Sequence, residues 1–281
     1  MSSPTREETL AALTWLVEAG ADEAILEAPV NRFRAPPAQQ GRPSAPSPLP
    51  EPPPRASTLP QAEGQKIAAA EAPSLSTPAG AARALAAGCA TLAELKQALV
   101  NFDGLAELKR GAKNTVFADG RPDARIMLIG EAPGRDEDER GLPFVGRAGK
   151  LLDRMLAAIG RDRSNVYITN VLNWRPPQNR EPSPEEAAAC LPFLHRHIEL
   201  ADPQLLILLG AVSVRHVLGS TEGIMRMRGR WETYQSVHLG RAIPVMPTLH
   251  PAFLLRQPAA KRLAWRDLLM IAEKIEQLGL A

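Results

Sequence analysis

The sequence has little cysteine, few aromatic residues and no long apolar run. Two cysteines, Cys89 and Cys190, occur in 281 residues. That is too few for a disulfide framework or a four-thiolate metal site. Aromatic residues make up 4% of the chain, yet hydrophobic residues reach 44%, which allows a sizeable core. No apolar stretch approaches the roughly 20 residues that span a bilayer. The start, Met1-Ser2-Ser3-Pro4-Thr5-Arg6-Glu7-Glu8, has no basic segment followed by an apolar one, so no secretory signal is expected. The expectation is a cytoplasmic protein with no membrane contact.

Charge and proline are unevenly spread. Residues 1–81 carry 6 Lys and Arg against 9 Asp and Glu, whereas residues 82–281 carry 27 against 22. The larger part is mildly basic, which permits a polyanionic partner without demanding one. Ten prolines fall within residues 35–60, and residues 61–81 are rich in Ala with few large apolars. Such composition reads as a disordered or polyproline-like spacer. Before it, Thr5 and Glu8 form a capping pair ahead of Leu10, Leu13, Leu16 and Val17 at helical spacing. A single amphipathic helix cannot bury its own face, so it calls for the main domain or a protein partner. The expected organisation is a helical segment over 1–34, a Pro/Ala-rich linker over 35–80 and one domain over 81–281.

Within that domain, helical and strand patterns alternate. The runs 126–129, 166–171, 205–209 and 243–249 read as strands. Helices are expected over 90–101, 150–159, Pro184 to about 200, 211–218 and 259–278, with a hairpin or loop over 228–241. Ser183-Pro184-Glu185-Glu186 is a capping box with Pro at the first helical position. This order predicts an α/β fold: a four-stranded parallel sheet with helices on both faces, three layers in all.

In a parallel sheet the carboxyl ends of the strands share one edge, where ligands bind. Glu131 ends the first strand, Asn170 the second, and His250 follows the fourth. Phe144 and Asn179 lie in the loops after the first two. The five are distant in sequence and are expected to converge. Phe144 offers a stacking face. Asn170 offers a donor beside an acceptor, which matches the hydrogen-bonding edge of a pyrimidine. His250 can donate to an oxygen that gains negative charge. A carboxylate such as Glu131 can orient water or stabilise a cation. That set suits chemistry on a nucleobase. Gly141–Ala148 nearly spells a phosphate-binding loop, but Arg147 and Ala148 stand where Lys and a hydroxyl are needed. His197-Ile198-Glu199 lacks the cysteine pair of zinc deaminases.

Four segments, GEAPG (130–134), PFVGRAG (143–149), YITNVLNWRPPQNR (167–180) and HPAFLLR (250–256), resemble the motifs of the uracil-DNA glycosylase superfamily. They are most similar to its family 4, the iron–sulfur type. The resemblance implies uracil excision from DNA by hydrolysis of the N-glycosidic bond. Phe144 would stack on uracil, Asn170 would read O4 and N3–H, and His250 would donate to O2. Glu131 would position water or stabilise the sugar cation, with Glu137 as helper, for water or loop orientation. Asn179 would close the pocket, and the Ala132 amide would line it. Leu254, Leu255 and Arg256 would enter the duplex, although both leucines read equally as helix-start core. Arg228, with Arg226, Arg230, Lys261 and Arg262, would hold phosphates. The implied partner is uracil-containing DNA, met by a monomer. The family holds its cluster with four cysteines. Here Cys190 matches one position, Trp174 stands at another and residues 102–109 contain no cysteine, so no cofactor is expected. A relative with another base specificity, such as hypoxanthine or mismatched thymine, and a lesion-binding module without catalysis are the rival readings.

Overall fold

The computed structural model describes residues 77–236 and 238–280. The expected helical segment over 1–34, and the linker up to residue 76, lie outside the described residues.

Two apolar runs build the centre of the sheet. β2 (Ile126–Gly130) and β4 (Leu205–Leu209) are buried along their whole length. Both faces of each must therefore be covered. Alternate side chains go to opposite sides. Met127 and Ile129 join one core with Leu206 and Leu208, while Ile126 and Leu128 join the other with Leu205, Ile207 and Leu209. Each fully buried Leu or Ile contributes about 1.5–3 kcal/mol. β3 (Tyr167–Asn170) pairs parallel to β2, and β6 (Ala242–Thr248) pairs parallel to β4.

Among the described residues the sheet has six strands, not the four expected; with β1 (Asp119–Gly120) and β5 (Glu232–Gln235) at its edges, the order is β1-β3-β2-β4-β6-β5. The four parallel strands match the expectation. The additions are β1 and β5, antiparallel pairs at the two edges. β1 is too short to show a pattern, and β5 is mostly polar. An antiparallel edge strand can face water, so it needs no apolar run.

Helices cover both faces. α1 (Pro78–Ala87), α2 (Leu92–Asn101) and α3 (Ala106–Gly111) precede the sheet. α1 begins inside the stretch expected to be linker. Thr77 caps it through its hydroxyl, 3.1 Å from the Gly80 amide, and Pro78 supplies the first helical position. Its small residues, buried at Ala82 and Ala86, pack it against α6 (Pro184–Ala201). On the opposite face, α5 (Arg147–Ala157) and α10 (Lys261–Gln277) bury Leu152, Leu156, Leu268 and Ile271. α4 (Arg135–Arg140) precedes α5 in sequence, and α7 (Ala211–Leu218), α8 (Ile224–Met227) and α9 (Pro251–Arg256) come between α6 and α10. Among the described residues, no helix is long and apolar enough to cross a membrane.

Candidate active site

The register of β2 and β3 sets the floor of the site. Gly130 and Asn170 are direct partners at the carboxyl ends of these strands. A methyl group on Gly130 would overlap Asn170 Oδ1 and come within 2.5 Å of the Phe144 ring. Glycine is therefore what allows the amide and the ring to meet. Beyond this floor lies a cavity of about 440 Å3. Glu131, Ala132, Glu137, Phe144, Asn170, Asn179 and His250 all line it, together with Arg256.

Asn170 is buried, and its Oδ1 has no hydrogen-bond partner. A buried acceptor left unpaired costs about 1–3 kcal/mol. A ligand N–H at this position would remove that cost.

Phe144 is held in a left-handed conformation, φ 55°. This is uncommon for a large side chain and costs about 1–3 kcal/mol. Two devices hold it. Arg163 donates to the carbonyl oxygens of Pro143 and Phe144, and is itself paired with Asp119 and Asp153. Gly149 has no side chain to collide with the Phe144 carbonyl. Sequence reasoning missed Arg163, which lies in the loop before β3 outside every motif.

His250 caps α9. Its Nδ1 accepts from the Ala252 amide at 3.1 Å. Burial, and to a lesser degree the Arg256 charge, push its pKa down to about 4. The ring is then neutral at ordinary pH. Because Nδ1 accepts, the single proton resides on Nε2. The imidazole stands 5.5 Å from the Phe144 ring, centroid to centroid. Gly210, at φ 95°, gives it room, since a Cβ there would lie 2.9 Å from His250 Cβ.

Glu131 follows β2 directly. Burial is the main cause of a raised pKa, with Glu181 adding to it and Arg215 and Arg256 opposing it. Glu137 has a different task. Its Oε1 accepts from the Val145 and Gly146 amides at 2.9 and 2.8 Å, and its Oε2 from Gly134 at 3.1 Å. It ties the two halves of the Phe144 loop together while lining the cavity. Asn179 sits in a strained turn, with φ of 57° at Gln178 and 54° at Asn179. Its Oδ1 accepts from Arg175 at 2.8 Å.

The residues expected to meet DNA divide. Arg256 is exposed at the cavity, and Leu255 lines an adjoining cleft with Arg135, Arg147 and Arg175. Leu254 is 1% exposed and belongs to the core, which corrects the expectation that it enters the duplex. Arg228 is likewise committed elsewhere. It pairs with Asp267, which is fully buried, and donates to the Leu263 carbonyl at 2.6 Å. It is a structural ion pair, not a phosphate ligand. Arg135, Arg147 and Arg175 were not among the residues expected to meet DNA, although Arg147 lies in the 143–149 segment and Arg175 in the 167–180 segment.

The model of the uracil DNA glycosylase superfamily matches residues 117–269. The chain belongs to the uracil-DNA glycosylase superfamily. It is 40% identical to a type-4 uracil-DNA glycosylase of Sulfurisphaera tokodaii over 165 residues, 57% of this chain and 74% of that one. It is 40% identical to the type-4 enzyme of Archaeoglobus fulgidus over 171 residues, 59% and 85% of the two chains. For the type-4 enzyme of Thermotoga maritima the identity is 44% over 144 residues, 51% and 72%. The three-layer fold with its central parallel strands is the one this superfamily uses.

Trp174, Phe102 and Cys190 belong to one apolar core cluster. Trp174 is buried, with Nε1 donating to Thr115 at 3.0 Å. Phe102 is buried edge-on against Phe193, ring centroids 5.2 Å apart. Cys190 is buried, and burial pushes its thiol up to about 12. Among the described residues, no group of three or more His, Cys, Asp or Glu could hold a metal ion.

Proposed function

We propose that the protein is a uracil-DNA glycosylase that flips uracil out of DNA and hydrolyses its N-glycosidic bond, leaving an abasic site. One observation carries the reading. The unpaired Asn170 Oδ1, the Phe144 ring and the His250 Nε2–H face one cavity of about 440 Å3. Uracil offers what this set lacks: a flat ring, an N3–H for Oδ1, an O4 for the amide group, and an O2 for the imidazole.

Flipping a base costs a few kcal/mol, least where pairing is already weak. Once uracil is seated, water attacks C1′ and the bond from C1′ to the base breaks. The base leaves with the electron pair. Negative charge spreads to O2, where the His250 Nε2–H donates. A neutral donor aimed at developing charge contributes about 3–4 kcal/mol. The Glu131 carboxylate orients the water and takes the proton it loses. Its raised pKa makes it a better base than an exposed carboxylate.

The reading includes no cofactor. Cluster ligands are thiolates, and the residues at those places do not fit that role: Trp174 and Phe102 pack there, and Cys190 holds its proton. We read the protein as a cytoplasmic monomer whose partner is uracil-containing DNA.

The test is incubation of the full chain with a uracil-containing oligonucleotide, followed by alkaline cleavage at abasic sites. Strand cleavage is expected from the wild type. Asn170→Ala and His250→Ala should each lower kcat/KM at least about 100-fold. Tight binding of the same oligonucleotide with no abasic product would overturn the reading in favour of a lesion binder.

A further inference from the structure

Trp265 is 44% exposed, one of the large apolar side chains the fold leaves in solvent. It borders a groove of about 220 Å3 between α5 and α10, floored by Leu151, Leu254 and Leu268 and flanked by Arg154 and Lys261. The groove is smaller than ordinary small-molecule sites, which start at about 300 Å3. It is wide enough for one flat ring against the indole.

The surrounding charge has one sign. Lys150, Arg154, Lys261, Arg262 and Arg266 are exposed. None takes part in an ion pair among the described residues. Lys261 and Arg262 occupy the first turn of α10, which contains no acidic residue. The helix dipole disfavours cations there. Stability of the free chain does not account for this placement, whereas an anionic partner does.

The groove shares no lining residue with the cavity already described, but one helix borders both. Its floor residue Leu254 belongs to α9, and Ala252 and Arg256 of the same helix line the cavity. With 3.6 residues per turn, Leu254 points away from Ala252 and Arg256, so the groove and the cavity lie on opposite sides of this short helix.

We infer that this groove is a second nucleotide subsite: Trp265 stacks on an unpaired base of the bound strand away from the flipped one, while Lys261, Arg262 and Arg154 hold its phosphates. Aromatic stacking within a basic surface is how single strands are bound without regard to sequence. The inference rests on the glycosylase reading only for what fills the neighbouring cavity.

The experiment is a fluorescence titration of the full chain with single-stranded oligonucleotides of three and ten nucleotides, with and without uracil. The ten-nucleotide strand should quench the Trp265 signal, and Trp265→Ala should abolish that part of the quenching. Trp265→Ala should weaken binding of the longer strand about tenfold, with Trp265→Phe restoring most of it. Lys261→Gln should lower the salt slope by about one. Equal affinities of wild type and Trp265→Ala at both lengths would overturn the subsite. So would quenching by an acidic, leucine-containing peptide but not by the oligonucleotides, which would give the groove to a protein. Uracil excision with no Trp265 effect removes this subsite and leaves the enzyme reading intact. The Trp265 effect without excision does the reverse.

Discussion

Arg163 donates to the backbone carbonyl of Phe144 at 2.5 Å, so a guanidinium from the loop before β3 holds the backbone that carries the ring. The ring's left-handed backbone is held by that contact and by the Pro143 carbonyl bond at 3.2 Å. Arg163→Ala should release the loop and raise KM for uracil-containing DNA by about 10-fold or more, in line with the 1–3 kcal/mol such strain represents. Arg163→Lys cannot reproduce a forked donor and should recover only part. Steady-state kinetics of the three proteins check this. An unchanged KM in Arg163→Ala would remove Arg163 from the site's support.

Gly130→Ala places a methyl group between Asn170 and Phe144. The amide and the ring must then separate. Excision should fall by at least about 100-fold. The melting temperature should fall by only a few degrees, because the cavity side of the floor can still move.

Arg228 and Arg256 should behave as opposites. Arg228→Ala leaves Asp267 buried without its partner, in contact with Thr248 at 2.7 Å. The loss should be about 3–5 kcal/mol of stability, measured by urea unfolding, with the salt dependence of DNA binding unchanged in whatever remains folded. Arg256→Ala should leave stability alone and reduce the salt slope of binding by about one.

Acid should weaken the fold through two buried histidines. His250 has its pKa pushed down to about 4, and His197, against Tyr167 and Phe117, to about 3. Burial is the first cause in both. Between those values and the ordinary 6.5, the unfolded chain binds more protons than the folded one, so stability falls as pH falls through that window. His250→Gln should flatten the part between about 6.5 and 4. In the same range, activity should decline as Glu131 protonates, at a pH above the ordinary carboxylate value. Unfolding and excision measured across pH 4 to 8 separate the two effects.

The central strands were legible because they are buried on both faces: β2 and β4 are continuous apolar runs, which need no partner to be recognised. The capping box at Ser183 and Glu186 was legible because it is satisfied within one turn, with the two reciprocal bonds at 2.8 and 3.2 Å. Glu131, Asn170 and His250 were legible because each ends a strand or follows one directly, and parallel topology sends such positions to one edge. Residue type and local position determined those features, and their chemistry followed from the side chains themselves.

Tertiary structure decided the rest, because each remaining role depends on which groups the packed chain brings to the side chain. That Glu137 orients the loop became visible only when its two oxygens were found on three loop amides. Arg228 and Arg256 are identical side chains, separated only by a buried Asp267 that one of them reaches. Leu254 and Leu255 are neighbours of the same type, and the rotation of a short helix turned one into the core and the other to the solvent. The tautomer of His250 came from the amide its own helix offers, and its depressed pKa from what packs around it. Burial and long-range hydrogen bonds are properties of the packed chain, so no local reading could supply them.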